Sequence, residues 1–485
     1  MFFMKKRNLL LILSSILMGV LAEWLFVDHV FGLSVLLYVS LYYCLFYWQM
    51  KGRLFRNRKI GFLLMLSILS LSLGYFLYWN ITFYLLNLLV LPAFIIVHSV
   101  IITRRKTIDW NNPAFIGFMF SFTGKWIAFT FGRIGKFKKV FQRRMNSGSY
   151  QTFKRVLIGL LISVPLVGFI GILLVSADNH FAELMARLPL KFFNLQIGDE
   201  IFRTIFVLMV SLILYSFIRM LRRNEKDYPR SMDIQRPSWE TTIIVTVLIS
   251  LNALYALFTF VQFQYFFSDT LLAGYTYADY ARRGFFELIV VTLINWSIVV
   301  AVIKSSDKGE GVMSRVTNIL LTLLIGMSGI MLYSAAMRLG LYEEAYGFTM
   351  SRVLAHSFMA LIGVILAFTL LKIWYVRLSL SRFYIITVMI IYSGLNLVDL
   401  NGLIVEKNID RYEQTGKIDL YYFEQMSYAG TLGLIDLYKQ DPSLPGLKEL
   451  LVREQEGAVD QKESWQSTNL VKKEAEKKLE KLELR

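Results

Sequence analysis

Charge is scarce in this sequence: 18% of its 485 residues are Asp, Glu, Lys or Arg, against about 25% in an ordinary soluble domain. Cysteine is nearly absent. Cys44 stands alone, which excludes an intrachain disulfide and a cysteine metal centre. Eight prolines exclude collagen-like and proline-rich disordered chains. The four histidines show no zinc-ligand spacing with Cys, Asp or Glu, and there is no H-E-x-x-H, G-x-S-x-G or P-loop. No metal or cofactor is therefore expected. What is abundant is apolar: 56% hydrophobic residues, 15% aromatic, mean hydropathy +0.51. The expected fold is all-α, a polytopic integral membrane helix bundle.

A spanning helix needs about 20 mostly apolar residues to cross a hydrocarbon core of about 30 Å. Eleven stretches qualify: 8–27, 30–50, 60–79, 81–103, 156–175, 202–221, 241–263, 285–303, 316–336, 350–371 and 383–399. The first follows Lys5, Lys6 and Arg7. Its apolar run is too long for a signal sequence and no A-x-A-like site follows before Glu23, so it reads as a retained signal-anchor helix. With the N-terminus inside, the inner segments carry 32 Lys and Arg, the outer loops 7 and the tail 13. Basic residues resist translocation, so this asymmetry sets the orientation. The organisation expected is four transmembrane helices in 1–103, an inner basic segment at 104–155, a seven-helix core in 156–399, and an extracytoplasmic tail from 400 to 485. The net charge of +17 then reflects orientation, and nucleic acid is not expected as a partner.

Segment 104–155 holds twelve basic residues and one acid, Asp109. Ile127, Phe131, Ile134, Phe137 and Phe141 recur at helical spacing, with Lys136, Lys138, Lys139, Arg143 and Arg144 beside them. With Trp126, this pattern suits an interfacial helix on anionic lipid headgroups; a topology signal without any ligand is the simpler alternative. From Leu400 the composition changes to thirteen basic and sixteen acidic residues. Stretches 402–414 and 418–440 carry apolar helix stripes, and either a protein partner or the bundle's own outer mouth could cover them. The Lys/Glu-rich run 472–485 reads as a solvated, flexible end.

Ionisable groups near spans are default functional candidates. Asp178, Arg282, Arg283, Glu287, Arg338, Tyr342, Arg352, Asn396 and Asp399 all fall at the expected outer face. Arg283 and Glu287 are four apart and read first as an internal ion pair, second as a ligand site. Arg338 and Arg352 could present two guanidinium forks, with Tyr342, to a carboxylate or phosphate in one vestibule. Glu23, within the first span, is expected to face the bundle interior with only Asp28 and His29 as neighbours. Asn87, Asn252 and Asn295 suit hydrogen bonds between helices.

Four stretches carry a resemblance: Leu173–Phe181 (LLVSADNHF), Tyr280–Leu288 (YARRGFFEL), Arg338–Arg352 with Tyr346-Gly347-Phe348-Thr349, and Asn408–Tyr412 followed by Thr415–Tyr422. Together they resemble a family of bacterial multi-pass membrane proteins known only as a domain of unknown function. The resemblance implies a bacterial inner membrane protein and brings no activity or catalytic residue. Three functions follow in order: a scaffold, sensor or regulatory component with a partner on its tail; a transporter or flippase for an anionic small molecule or lipid headgroup; and an enzyme on a lipid-linked substrate.

Overall fold

In the computed structural model, every regular element among the described residues is helical. The structure describes residues 2–52, 55, 57–104, 109–112, 114–141, 156, 159, 163, 196–222, 239–267, 285–305, 311–459 and 464–482. The helices are α1 (Phe2–Phe26), α2 (Leu33–Gln49), α3 (Arg58–Leu77), α4 (Ile81–Thr103), α5 (Ala114–Phe141), α6 (Gln196–Arg222), α7 (Thr241–Phe267), α8 (Phe285–Ser305), α9 (Val312–Tyr346), α10 (Met350–Trp374) and α11 (Leu380–Leu395). The tail adds α12 (Leu400–Thr415), α13 (Leu420–Gln425), α14 (Ser427–Gln440), α15 (Leu447–Val459) and α16 (Leu470–Glu480).

Nine of the described helices are long and apolar enough to cross a membrane, and α11 with α12, bent by 64°, makes a tenth if counted as one. The expected span at 156–175 lies outside the described residues. The expected span at 30–50 is the 17-residue α2. Two elements differ from expectation. The stretch marked at 316–336 belongs to α9, which is 35 residues long. At about 1.5 Å per residue α9 measures about 52 Å, well beyond a core of about 30 Å. It stops only at Gly347, whose φ of 85° carries the chain out of the helix while its amide bonds Glu343 O at 2.7 Å. The second difference is α5, whose residues 114–132 also meet the length and composition of a span.

The chain divides into two compact units. The first comprises Met1–His29, Ser40–Leu54 and Ile116–Asp227. Here α1 and α6 run antiparallel. They cross at Gly19, where a Cβ would run into Ser211 Oγ and the Val207 carbonyl, so only glycine lets the backbones meet. At one end Arg203 bridges Glu23 and Asp28. Glu23 is thus ion-paired with a residue 180 positions away, which corrects the expectation of a carboxyl with only local neighbours. At the other end Arg7 donates to Gln49 O at 3.0 Å, and Arg222 donates to the same carbonyl and to Gln49 Oε1.

The second unit comprises Val30–Val39, Phe55–Phe115 and Tyr228–Arg485. Its spanning core packs α7, α8 and α10 against the long α9, with Leu324, Val299, Leu248 and Ala335 fully buried. The amides named from sequence work as helix-to-helix bonds: Asn252 Nδ2 donates to Leu320 O at 3.0 Å and Asn295 Nδ2 to Ser328 Oγ at 3.0 Å. Beyond α11 the tail folds into a helical cap with its own core, in which Phe423, Leu434, Leu437, Leu447 and Leu451 are buried. The Lys/Glu-rich end is part of this cap. Lys472, Ala475 and Leu479 bury one stripe of α16, and Lys472 lies 5.0 Å from the Tyr428 ring. Only one member of that stripe is a large apolar residue, and the lysine stem supplies much of the rest.

Candidate functional site

The cap meets the spans at the sharp turn between α9 and α10. Asn408, on α12, accepts from Phe348 N at 2.9 Å and donates to Phe348 O at 2.9 Å. Its amide thereby imitates a neighbouring strand and satisfies both backbone groups of the turn. Arg411, one turn on, donates to the carbonyls of Glu344 (2.9 Å), Ala345 (2.7 Å) and Lys417 (3.1 Å). The last carbonyls of a helix lack intrahelical donors and carry partial negative charge, so a guanidinium is well suited to them. Gly347 is required twice over. Its φ is 85°, and a Cβ there would lie 2.7 Å from Asn408 Oδ1. Met350 N donates to Tyr422 Oη at 2.8 Å. Two of the sequence elements behind the family resemblance, Tyr346–Thr349 and Asn408–Tyr412, are therefore one physical clamp.

Around this clamp Arg352 finds internal partners. Arg352 lies over the Tyr342 ring at 4.3 Å and donates to Gly347 O. Arg338 is buried in α9. Glu343, 4% exposed, bonds His356 at 3.0 Å through one oxygen, and its other oxygen has no hydrogen-bond partner among the described residues. His356 shows no zinc-ligand spacing in the sequence. Yet Glu343 and His356 lie equally far on either side of the step from Thr349 to Met350, so a hairpin turning there must bring them together.

Asn396 and Asp399 belong to a separate group. Asn87 Nδ2 donates to Asn396 Oδ1 at 2.6 Å while Tyr392 Oη donates to Asn87 Oδ1 at 2.7 Å. Asn80 caps α4 by accepting from Thr82 N and Phe83 N, and donates to Asn401 Oδ1 at 3.1 Å. Asn401 in turn donates to Trp79 O at 2.8 Å. The cavity beside these amides is about 20 Å³. Ligand pockets run to roughly 300–1,000 Å³, so this one admits no substrate. Asp399 caps α12 through Gly402 N at 2.9 Å.

The cap carries an opening of its own. A groove of about 520 Å³ lies between α12 and α14, with Val405, Ile409, Leu432 and Gly433 along its floor. Asp399, Glu406, Asp410, Glu413 and Asp436 line it against a single base, Lys439. Lys407 and Lys439 partly neutralise Asp410 and Asp436.

Asp178, Arg282, Arg283, Arg143 and Arg144 lie outside the described residues, as do the side chains of Lys136, Phe137, Lys138 and Lys139. Glu287 is exposed in the first turn of α8, where a carboxylate complements the helix dipole. Trp126 and Phe131 are half-buried on α5, and Trp126 Nε1 donates to Ser216 Oγ at 3.0 Å. Among the described residues, then, these polar side chains form two networks, and sequence reasoning gave no role to Asn80, Arg411 or Asn408.

No curated protein and no solved structure matches the chain. The family described as Domain of unknown function (DUF4153) matches residues 65–437, a range that contains the spanning core of the second unit, the clamp and all of the groove lining but Lys439 and Gln440. The chain is a multi-pass, all-helical member of that family.

Proposed function

We propose that the chain is a scaffold or regulatory component of a bacterial inner membrane, with its N-terminus cytoplasmic and its cap extracytoplasmic. The reading rests on one observation: the cap is fastened to the spans by the Asn408–Arg411 clamp while its own acid-lined groove stays open. A partner that fills the groove meets a body already joined to α9 and α10, so binding outside is felt by the spans. The internal engagement of Arg352, Glu343 and Asn396 favours this over anion transport or chemistry on a lipid-linked substrate. The 32 basic residues on the inner side support the orientation.

Quantitative cross-linking in whole cells tests it with the full chain. Glu406→Lys with Glu413→Lys should remove outer-face partners while the cap stays protease-resistant. An unchanged partner set in that variant, and in one with Asn408→Ala, refutes the scaffold reading.

A further inference from the structure

The clamp and the cap leave α5 unexplained. Phe122 and Trp126 pack on Phe217 with centroids 6.3 and 4.8 Å apart. Trp126 and Thr130 both hydrogen-bond Ser216 Oγ, at 3.0 and 2.6 Å. Positions 122 and 130 are separated by about 12 Å along a helix axis, yet these contacts land on two adjacent residues of α6. Helices lying side by side would spread such contacts over two turns of each. Gathered at one point, they mean that α5 crosses α6 steeply. Ser216 is less than two turns from the end of α6, in the stretch that carries Arg219 and Arg222. Because α6 has the length and composition of a span, α5 runs across its basic end and not alongside it.

The opposite side of α5 is apolar and open. Ile116 is 61% exposed, Phe120 76% and Ile127 49%, at spacings that place them on one face. Length and composition would also allow residues 114–132 to cross a membrane; the crossing geometry decides against it. Lys125 is exposed on the same helix, and the sequence of its extension to Phe141 adds Arg133, Lys136, Lys138 and Lys139. With one acid against twelve bases in 104–155, the complementary surface is anionic.

We infer that α5 is an in-plane helix seated on the leaflet at the Arg222 end of α6, its apolar face at the acyl boundary and its bases on anionic phospholipid headgroups. This stands independently of the scaffold reading.

Single cysteines at 116, 120 and 127, introduced in a Cys44→Ser background of the full chain, would carry an environment-sensitive fluorophore in nanodiscs. Phospholipids brominated at different depths serve as quenchers. An in-plane helix puts all three positions at one shallow depth. A span separates 120 from 127 by about 10 Å in depth, and that result, or absence of quenching, overturns the inference. Replacing phosphatidylglycerol with phosphatidylcholine should weaken shallow quenching at 120 and 127 at least twofold. Equal quenching in both lipids would overturn the anionic part.

Discussion

The α1–α6 pair and the cap junction solve one problem, fastening distant segments at the membrane surface, with opposite chemistry. The pair is pinned at one end by an ion pair, Arg203 on Glu23 and Asp28, and at the other by Arg7 and Arg222 on the neutral Gln49. Among the described residues the cap is held without an ion pair at its junction, by the amides Asn80 on Asn401, Asn408 on Phe348 and Asn469 on Tyr75, with Arg411 on backbone carbonyls. Exposed ion pairs contribute about 0–1 kcal/mol and weaken with salt. A buried amide with both its groups engaged is insensitive to salt and to pH, and leaving its partners unsatisfied costs more. The pair can therefore loosen with ionic conditions while the cap stays fixed.

The largest effect should follow Asn408→Ala. It strands the N–H and C=O of Phe348 and removes a bond to Ile404 O, a loss of about 2–4 kcal/mol. Trypsin cleavage at Arg411 and Lys417 should accelerate by more than tenfold; an unchanged rate would mean the clamp does not hold the cap. Gly347→Ala comes next, at about 1–3 kcal/mol for the strained backbone, with the same protease readout. Gly19→Val attacks the charged pair at its crossing, at about 1–3 kcal/mol from overpacking. It should separate fluorophores on α1 and α6 and leave cap proteolysis unaltered. Arg203→Ala should shift stability by no more than about 1 kcal/mol, and the difference from wild type should vanish in high salt.

The smallest effect concerns pH. Hydrogen bonds from Ser443 and Tyr412 lower the carboxyl of Asp441 below its ordinary value. A carboxyl lowered in the folded state binds protons more weakly than in the unfolded chain. Its contribution is complete above the ordinary carboxylate value and disappears as pH falls through the folded one. The Tyr412–Asp441 contact should therefore open only in acid, seen as a chemical-shift change at Tyr412. Asp441→Asn should abolish that titration.

Most of the helical architecture was legible from apolar run length, because a bilayer imposes it on any chain that crosses. Asn87, Asn252 and Asn295 were legible for a related reason: amides in spans seek partners on other helices. The length of α9 was not, since Ala335–Tyr346 is too mixed to count as apolar and only Gly347 ends it. The ion pair at Glu23 joins residues 180 apart in sequence, beyond any local pattern. Asn408 and Arg411 were visible as part of a resemblance but had no role until the turn at Gly347 was seen beside them. The burial of α16 was masked by its charge, because the stripe depends on alanine and a lysine stem.

One further consequence concerns biogenesis. The amide of Leu33, at the start of α2, bonds Thr468 O at 3.0 Å, and Asn469 reaches Tyr75 O across 394 residues. A ribosome makes Thr468 and Asn469 long after α2 and α3. Until then the first-turn amide of α2 and the tight backbone approach at Gly32 wait for a partner still being synthesised. The start of α2 and the end of α3 are thus closed only once the chain has reached α16, and uncovered backbone at Leu33 marks molecules in which that closure has not been made.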